Sequence, residues 1–287
     1  MNWARLTQID RRVIFIAVAL AILIPLIFPM HMPMGAQRVT KNLYRAMEEV
    51  DTSRDVLLLS SDYAPQTEAE NHPMAIVILR HCFARRIPVL INALYVEGAP
   101  LLDMAMTQVM DEFNARAKTN ADSIIYGRDV VYLGWQPPPI VPILSMGRSI
   151  SGIYPVDYRG NRTDSLEVMK RVHNYDQIGL IVALTSSVSP LWYVMYAQTK
   201  FGVKVGAGCT AVSAPDFYPY CRSGQLSGMM AGMKGAAEYE ELVGNQYGVA
   251  GRRRATEGMA SQSAAHLLMM AFVIIGNIAY FATRRKS

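Results

Sequence analysis

The chain is short of cysteine, since its 287 residues include only Cys82, Cys209 and Cys221. An odd and sparse set of this kind excludes the disulfide framework that stabilises small secreted domains. A bridge between Cys209 and Cys221 stays open if the chain folds in an oxidising compartment. We expect buried thiols instead, because a free cysteine packs as a small apolar side chain.

Motifs that carry familiar chemistries are also lacking. The sequence has no GxxxxGK[ST] phosphate loop, no GxSxG nucleophile elbow and no zinc-ligand spacing among its five histidines and three cysteines. Its formal charge of +5 is modest and accompanies no nucleic-acid-binding motif, so we expect no nucleic-acid partner. We therefore predict no catalytic residue and no metal ligand, and the sequence leaves any cofactor unknown.

Long apolar runs, by contrast, stand at both ends of the chain. Residues 13–30 hold no charge, and residues 264–282 hold none if His266 is neutral. Each run is near the roughly 20 residues that cross a bilayer core as a helix. We therefore predict a two-pass chain with membrane lipid as a partner. The predicted order is a basic tail (1–12), a transmembrane helix (13–30), a connector helix (31–50), an α/β domain (51–243), a linker (244–261), a second transmembrane helix (262–282) and a basic tail (283–287).

The basic residues next to the two apolar runs indicate a topology. Arg11, Arg12, Arg284 and Arg285 abut the runs from the tail side, whereas the basic residues on the domain side begin about eight to ten residues away. Lys and Arg close to a span favour the cytoplasmic side. We therefore expect both termini in the cytoplasm and the α/β domain outside it.

The middle of the chain alternates short apolar runs with amphipathic segments. Continuous apolar runs of this length are typical of strands buried on both faces, and strands that alternate with helices form parallel sheets. We therefore predict a Rossmann-like or flavodoxin-like three-layer α/β domain with a mostly parallel sheet, flanked by one transmembrane helix at each end. Strands are predicted at 55–60, 88–93, 130–134, 178–184 and 203–205. Helices are predicted at 39–50, 74–83, from 100 onward, and at 164–173, 189–199 and 223–243.

Small polar residues follow the predicted strands. Ligands of open parallel sheets bind beyond the carboxyl ends of the strands, where hydroxyls and backbone N–H groups can hold a phosphate, a sugar or a carboxylate. The alternative is that turns and helix caps need these residue types for themselves. The candidate ligand residues are Ser60, Ser61, Asp62, Asn92, Glu97, Thr185, Ser186, Ser187, Gly206, Gly208 and Thr210.

The Gly206-Ala-Gly208 stretch partly matches a dinucleotide-binding loop. That motif has to open a helix at once, and Pro215 and Pro219 predict that no regular helix follows. The sequence therefore argues against a dinucleotide site at this loop.

Glycines recur every four residues at Gly224, Gly228 and Gly232, within the helix predicted over 223–243. Such spacing leaves a smooth groove that lets another backbone approach, with Met229 and Met233 beside it as adaptable packing residues. Asn277 in the second apolar run is a further candidate for helix pairing. These residues predict an interface within the domain or between subunits. The alternative is a tight helix-on-sheet contact inside one monomer.

Three functions remain compatible with these observations. We expect a membrane-anchored subunit or scaffold of an oligomeric membrane complex, with a non-catalytic α/β domain and a second copy or another chain as partner. A membrane-tethered ligand-binding or sensing domain is the second possibility. A membrane-bound transferase or hydrolase that uses Asp62 or Glu97 as acid or base is the third.

Overall fold

The computed structural model describes residues 10–28, 35–249 and 251–284. The chain forms two compact units. The larger unit is Met34–Arg252, and the smaller unit combines Met1–Pro33 with Arg253–Ser287.

A parallel sheet forms the middle of the larger unit, with six strands in the described part of the chain. Their order is β3-β2-β1-β4-β5-β6, which is the order of Rossmann-type doubly wound sheets and not the flavodoxin-like order. The prediction of an α/β domain with a parallel sheet is therefore confirmed. The strands are β1 (Val56–Ser61), β2 (Val89–Ala93), β3 (Val130–Trp135), β4 (Ile178–Thr185), β5 (Val205–Cys209) and β6 (Met229–Ala231).

Both faces of the sheet are covered, which explains why its strands read as continuous apolar runs. Leu58, Ile181 and Ala207 belong to a core on one face, together with buried side chains of the helices that follow β3, β4 and β5. Leu57 and Leu59 alternate with Leu58 along β1 and are equally buried, so they lie on the opposite face.

The helices of the larger unit divide between these two faces. They are α2 (Arg38–Glu48), α3 (Glu68–Ala84), α4 (Ala99–Asn114), α5 (Ile140–Ser145), α6 (Ile150–Ile153), α7 (Ser189–Tyr193), α8 (Thr199–Phe201), α9 (Ala214–Arg222) and α10 (Gly232–Tyr247), with a π-helical turn at Val194–Gln198. Helices α3 and α4 contact the strands on the face of Leu57, and α2 and α10 pack there as well. Helices α5, α6, α7 and α9 contribute to the core on the face of Leu58.

The smaller unit contains α1 (Arg11–Ile27) and α11 (Arg254–Arg284), which pack against each other. Within the described residues one segment, Arg254–Phe281, is long and apolar enough to cross a membrane. The prediction of a helix that is long and apolar enough to span a membrane is thus confirmed at the C-terminal end. It is not confirmed at the N-terminal end, where α1 has 17 residues and residues 29–34 lie outside the described part.

Several local predictions were wrong. The helix predicted at 223–243 begins only at Gly232, because Met229–Ala231 forms β6 beside β5. The helix predicted at 164–173 is two separate 3₁₀ turns, Thr163–Ser165 and Val168–Lys170, because the Val168 N–H donates to the Gly127 carbonyl (2.9 Å) and not to its own helix.

Proline positions were also misread. Pro215 and Pro219 both lie inside α9; Pro215 falls in its first turn, where a missing N–H costs nothing. Pro73 likewise lies inside α3, which begins at Glu68 and not after Asn71.

Candidate functional site

The carboxyl ends of β1 and β4 meet at the point where the strand order reverses. The Asp62 N–H donates to the Leu184 carbonyl (3.0 Å), so the β1–β4 ladder extends to the end of both strands. Helix α3 follows β1 on one face and α7 follows β4 on the other. In open sheets this reversal leaves a crevice between the two helices, and ligands bind there.

Asp62 lies buried at this crevice with both carboxylate oxygens engaged. Its Oδ2 accepts from the Thr185 hydroxyl (2.8 Å) and its Oδ1 from the Ser186 N–H (2.9 Å). Burial raises the pKa of the Asp62 carboxyl, although these hydrogen bonds oppose the shift. The structure therefore brings three of the predicted ligand residues together, but as a hydrogen-bonded cluster that also stabilises the loop after β4.

A second group of predicted residues is buried within the core. The Tyr193 hydroxyl donates to Ser60 Oγ (2.7 Å), and Asn92 Nδ2 lies 3.4 Å from the Tyr193 hydroxyl and 3.5 Å from that of Tyr154. Ser60 and Asn92 therefore fasten α7 to the sheet. The Oδ1 atom of Asn92 has no hydrogen-bond partner.

Asn71 is a polar residue at this end of the sheet that the sequence did not single out as a ligand. Its side chain is fully buried in the second turn of α3, and neither its Nδ2 nor its Oδ1 has a hydrogen-bond partner. A buried polar group without a partner typically costs about 1–3 kcal/mol. The sequence signal was misleading, because Asn71 before Pro73 resembles a helix cap.

The predicted glycines of β5 are packing positions. A Cβ at Gly208 would lie 2.9 Å from Met74 Sδ and 2.5 Å from Leu184 Cδ2, and one at Gly206 would collide with Leu43. Both glycines lie in the strand and not in the loop after it. They bring α2 and α3 onto the sheet, so we assign them no role in holding a phosphate.

The remaining predicted ligand residues lie at the same edge of the sheet, Ser61 at the end of β1 and the others in the loops. Ser61 is buried and accepts from the Tyr63 N–H (3.3 Å), and the Thr210 hydroxyl pairs with that of Ser213 (3.0 Å). Glu97 and Ser187 are exposed.

This edge also carries exposed apolar side chains. Val96 is 52% exposed, Trp135 at the end of β3 38%, Val188 43% and Val212 88%.

The predicted glycine groove does not form, because its residues belong to different elements. Gly224 is exposed before β6, Gly228 is buried beside α2, and Gly232 opens α10 with a φ of 61°. A Cβ at Gly228 would lie 2.6 Å from the Val39 carbonyl oxygen and closer still to the Leu43 nitrogen. The alternative interpretation, a close helix-on-sheet contact inside one monomer, therefore describes Gly228.

The other predicted interface residues have separate environments. Met229 is buried in β6, and Met233 is half-buried on α10. Asn277 is exposed on α11 and donates to the Val273 carbonyl of its own helix (2.9 Å). Whether any of them contacts another chain stays a prediction.

A cluster of titratable side chains that the sequence did not reveal joins α2, α3 and α10. His81 is fully buried, with Nδ1 2.8 Å from the Tyr239 hydroxyl and Nε2 2.9 Å from Glu48 Oε1. Tyr44 stacks on its ring, and the Tyr247 hydroxyl donates to Glu48 (2.7 Å). Burial lowers the pKa of His81 to about 4, so its ring is neutral near pH 7. The pKa of Glu48 is also lowered, because hydrogen bonds from Tyr247 and His81 outweigh the effect of burial.

The thiols do not form a reactive site. All three cysteines are free, and Cys82 and Cys209 are buried. Burial raises the pKa of Cys209 to about 12, which disfavours the nucleophilic thiolate. Among the residues that the structure describes, no group of three or more His, Cys, Asp or Glu side chains is placed to hold a metal ion.

Comparisons of this chain with protein-family models, with curated proteins and with solved structures find no match.

Proposed function

We propose that this chain is a membrane-anchored, non-catalytic subunit of a larger membrane complex and that its α/β domain docks a partner protein. The observation that carries the proposal is a row of exposed apolar side chains at the carboxyl ends of four parallel strands. Trp135 is the last residue of β3, and Val96, Val188 and Val212 lie in the loops after β2, β4 and β5, so all four stand at one edge of the sheet. Exposed apolar groups concentrated in one place mark interaction surfaces.

The charge of this edge indicates the character of the partner. The loops 62–67, 94–98, 136–139, 186–188 and 210–213 contain no Lys or Arg, whereas Glu97 is exposed there. Arg159, near the end of β3, is paired with Asp103 (3.8 Å). A surface that is apolar and acidic pairs best with one that is apolar and rimmed by basic residues. The partner is a second copy of this chain or another chain with such a surface.

The two helices of the smaller unit are suited to anchor the chain in a membrane. Helix α11 contains the segment Arg254–Phe281, and α1 packs against α11. The 17 residues of α1 span about 26 Å, at the short end of the range for crossing a hydrocarbon core of about 30 Å. Phe15, Leu20 and Leu23 of α1 are exposed, as lipid-facing side chains would be. We propose that both helices cross the membrane, with both termini in the cytoplasm and the α/β domain on the other side.

The second candidate, ligand binding at the β1–β4 crevice, is favoured by the unpartnered amide of Asn71. It does not compete with the first, because a docking subunit can also hold a small molecule. The third candidate, a transferase or hydrolase, receives less support, since Asp62 is buried and hydrogen-bonded and Glu97 is isolated on an exposed loop.

The native size of the complex tests the docking proposal. The full chain is expressed in its source cells, solubilised in mild detergent and separated by native electrophoresis. We expect the wild type to migrate in a complex well above its own 31.9 kDa and Val212→Asp to migrate as the free chain. Val212 is the most exposed of the four side chains, so this change leaves stability within about 0.5 kcal/mol.

Met195→Asp is the matched control, because Met195 is also an exposed apolar residue but lies in the π-helical turn after α7. It should leave the complex intact. A wild-type chain that migrates alone, or equal effects of the two substitutions, contradicts the proposal.

A further inference from the structure

Polar side chains at the crevice between α3 and α7 have donors and acceptors without a hydrogen-bond partner inside the domain. Asn71 is fully buried, and both its amide donor and its amide acceptor are without a partner. Met74, three residues later on the same face of α3, packs against Gly208 of β5. Asn71 is one turn closer to the start of α3, so it lies above the carboxyl ends of the central strands.

Asp62 lies at the same crevice from the side of α7. Its oxygens accept from the Thr185 hydroxyl and the Ser186 N–H, and Ser189 at the start of α7 also stabilises the carboxylate. A carboxylate oxygen can accept more than one hydrogen bond, so Asp62 and Asn71 together can offer a ligand one carboxylate, one amide acceptor and one unused pair of amide donors.

The charges around the crevice decide against an anionic ligand. No Lys or Arg occurs in residues 62–71, 94–98, 136–139, 186–192 or 210–213. Arg159 lies near the end of β3, where the Tyr158 N–H donates to the Tyr132 carbonyl (2.8 Å), but it is already paired with Asp103 (3.8 Å). Glu68 and Glu70 lie in the first turn of α3, and Glu70 accepts from the Ala211 N–H (2.7 Å). A phosphate or carboxylate would meet these charges without a cation to balance it.

We propose that this crevice binds a small, uncharged, hydroxyl-rich molecule such as a monosaccharide or the sugar of a nucleoside. A hydroxyl both donates and accepts, so one pair of hydroxyls satisfies the donor and the acceptor of the Asn71 amide. A further hydroxyl donates to Asp62. The ligand lies across the strand ends, between the two faces of the sheet. This inference does not depend on the docking of a partner protein.

Saturation-transfer NMR on the full chain in detergent tests the proposal directly. The probes are D-glucose, D-ribose and adenosine, each compared with its phosphorylated counterpart. We expect at least one uncharged probe to receive saturation from the protein, and its phosphorylated form to bind about tenfold more weakly or less. Failure of all three uncharged probes, or tighter binding of a phosphorylated form, overturns the proposal.

Substitutions then locate the site. Asn71→Leu removes the amide with little change of volume and should weaken binding about tenfold or more while the melting temperature is kept or raised. Asn245→Leu, at an exposed position of α10, is the matched control and should bind like the wild type. Wild-type affinity in the Asn71 variant contradicts the assignment. If the Asn71 variant does not fold, Asp62→Asn is measured instead and should also weaken binding of the uncharged probe. The comparison of charged and uncharged probes uses the wild-type chain, so it tests the proposal without either variant.

Discussion

Single glycines decide how closely elements approach each other in this domain. The backbone of α2 lies directly on Gly228, where a Cβ would collide with the Leu43 nitrogen. The sequence predicts a close backbone approach at this glycine, and that expectation is confirmed. It does not reveal whether the approaching backbone belongs to another subunit or to the same chain, because glycine spacing alone carries no information about its partner.

Gly228→Ala should therefore destabilise the chain. The added methyl meets backbone atoms of α2, which cannot rotate away, so we expect a loss of about 1–3 kcal/mol in the free energy of unfolding. Chemical denaturation of the purified chain in detergent measures this change. Gly35→Ala is the control, because a Cβ at Gly35 has no neighbour within 4 Å. Equal stability of the two variants would show that α2 does not pack this tightly.

Polar residues show the limit of prediction at the residue scale. The strand-end rule correctly places Asp62, Thr185 and Ser186 together. The rule does not tell whether a polar side chain at a strand end faces solvent or is buried in the core. Ser60, Asn92 and Thr185 are fully buried. Asn71 was overlooked because a buried, unpartnered amide results from the packing of distant segments and leaves no local pattern.

At the scale of elements, α2 is held firmly at both ends. Glu238 of α10 accepts from the Gln37 N–H (3.0 Å) and the Thr40 hydroxyl (2.7 Å), and so caps the helix start from 198 residues away. At its other end, Glu48 binds His81, and the Arg85 guanidinium donates to the Met47 carbonyl. These contacts fix both ends of α2 to the neighbouring helices α3 and α10.

The His81 cluster predicts how stability depends on pH. Its pKa is about 4 in the folded chain and near 6.5 when unfolded, so the unfolded chain takes up the proton first as the pH falls. The contribution of His81 to the free energy of unfolding is therefore complete above pH 6.5 and declines as the pH falls towards 4. Between pH 7 and pH 5 we expect a loss of about 2 kcal/mol in the free energy of unfolding.

His81→Gln is the variant that isolates this effect, because Gln keeps a donor and an acceptor but does not titrate. Denaturation at pH 7 and pH 5 should show a smaller decline for the variant, by about 2 kcal/mol. The raised pKa of Asp62 acts in the opposite direction but equally in both proteins, so it cancels in the comparison. Identical pH slopes would refute the idea that His81 is neutral and buried.

The strands were easier to predict than the short helices. Four of them, β1 to β4, appear as apolar runs because both faces of the sheet are covered, and their predicted positions are right to within a residue or two. Strand β6 has three residues inside a glycine- and methionine-rich stretch, where the four-residue glycine spacing suggested a helix. Pairing with β5 determines a strand there, and this pairing leaves no local pattern. The 3₁₀ turns near Thr163 and Val168 likewise depend on tertiary hydrogen bonds.

On the scale of the whole molecule, the alternation of apolar runs with amphipathic segments predicted the class of domain but not the order of its strands. That order places the reversal between β1 and β4, and it brings Val96, Trp135, Val188 and Val212 to one edge. The chain thus combines an apolar C-terminal helix at one end of the sequence with an apolar, acidic sheet edge. Such a combination suits a chain that holds a partner at a membrane.

Site-specific photo-crosslinking in native membranes tests this account most directly. A photoreactive amino acid is placed at position 188 on the sheet edge or at position 195 outside it, and the membranes are washed with alkaline carbonate before analysis. The account predicts that the chain stays in the membrane pellet and forms a discrete crosslinked product from position 188 and none from position 195. A chain released by carbonate, or products of equal yield from the two positions, would contradict it.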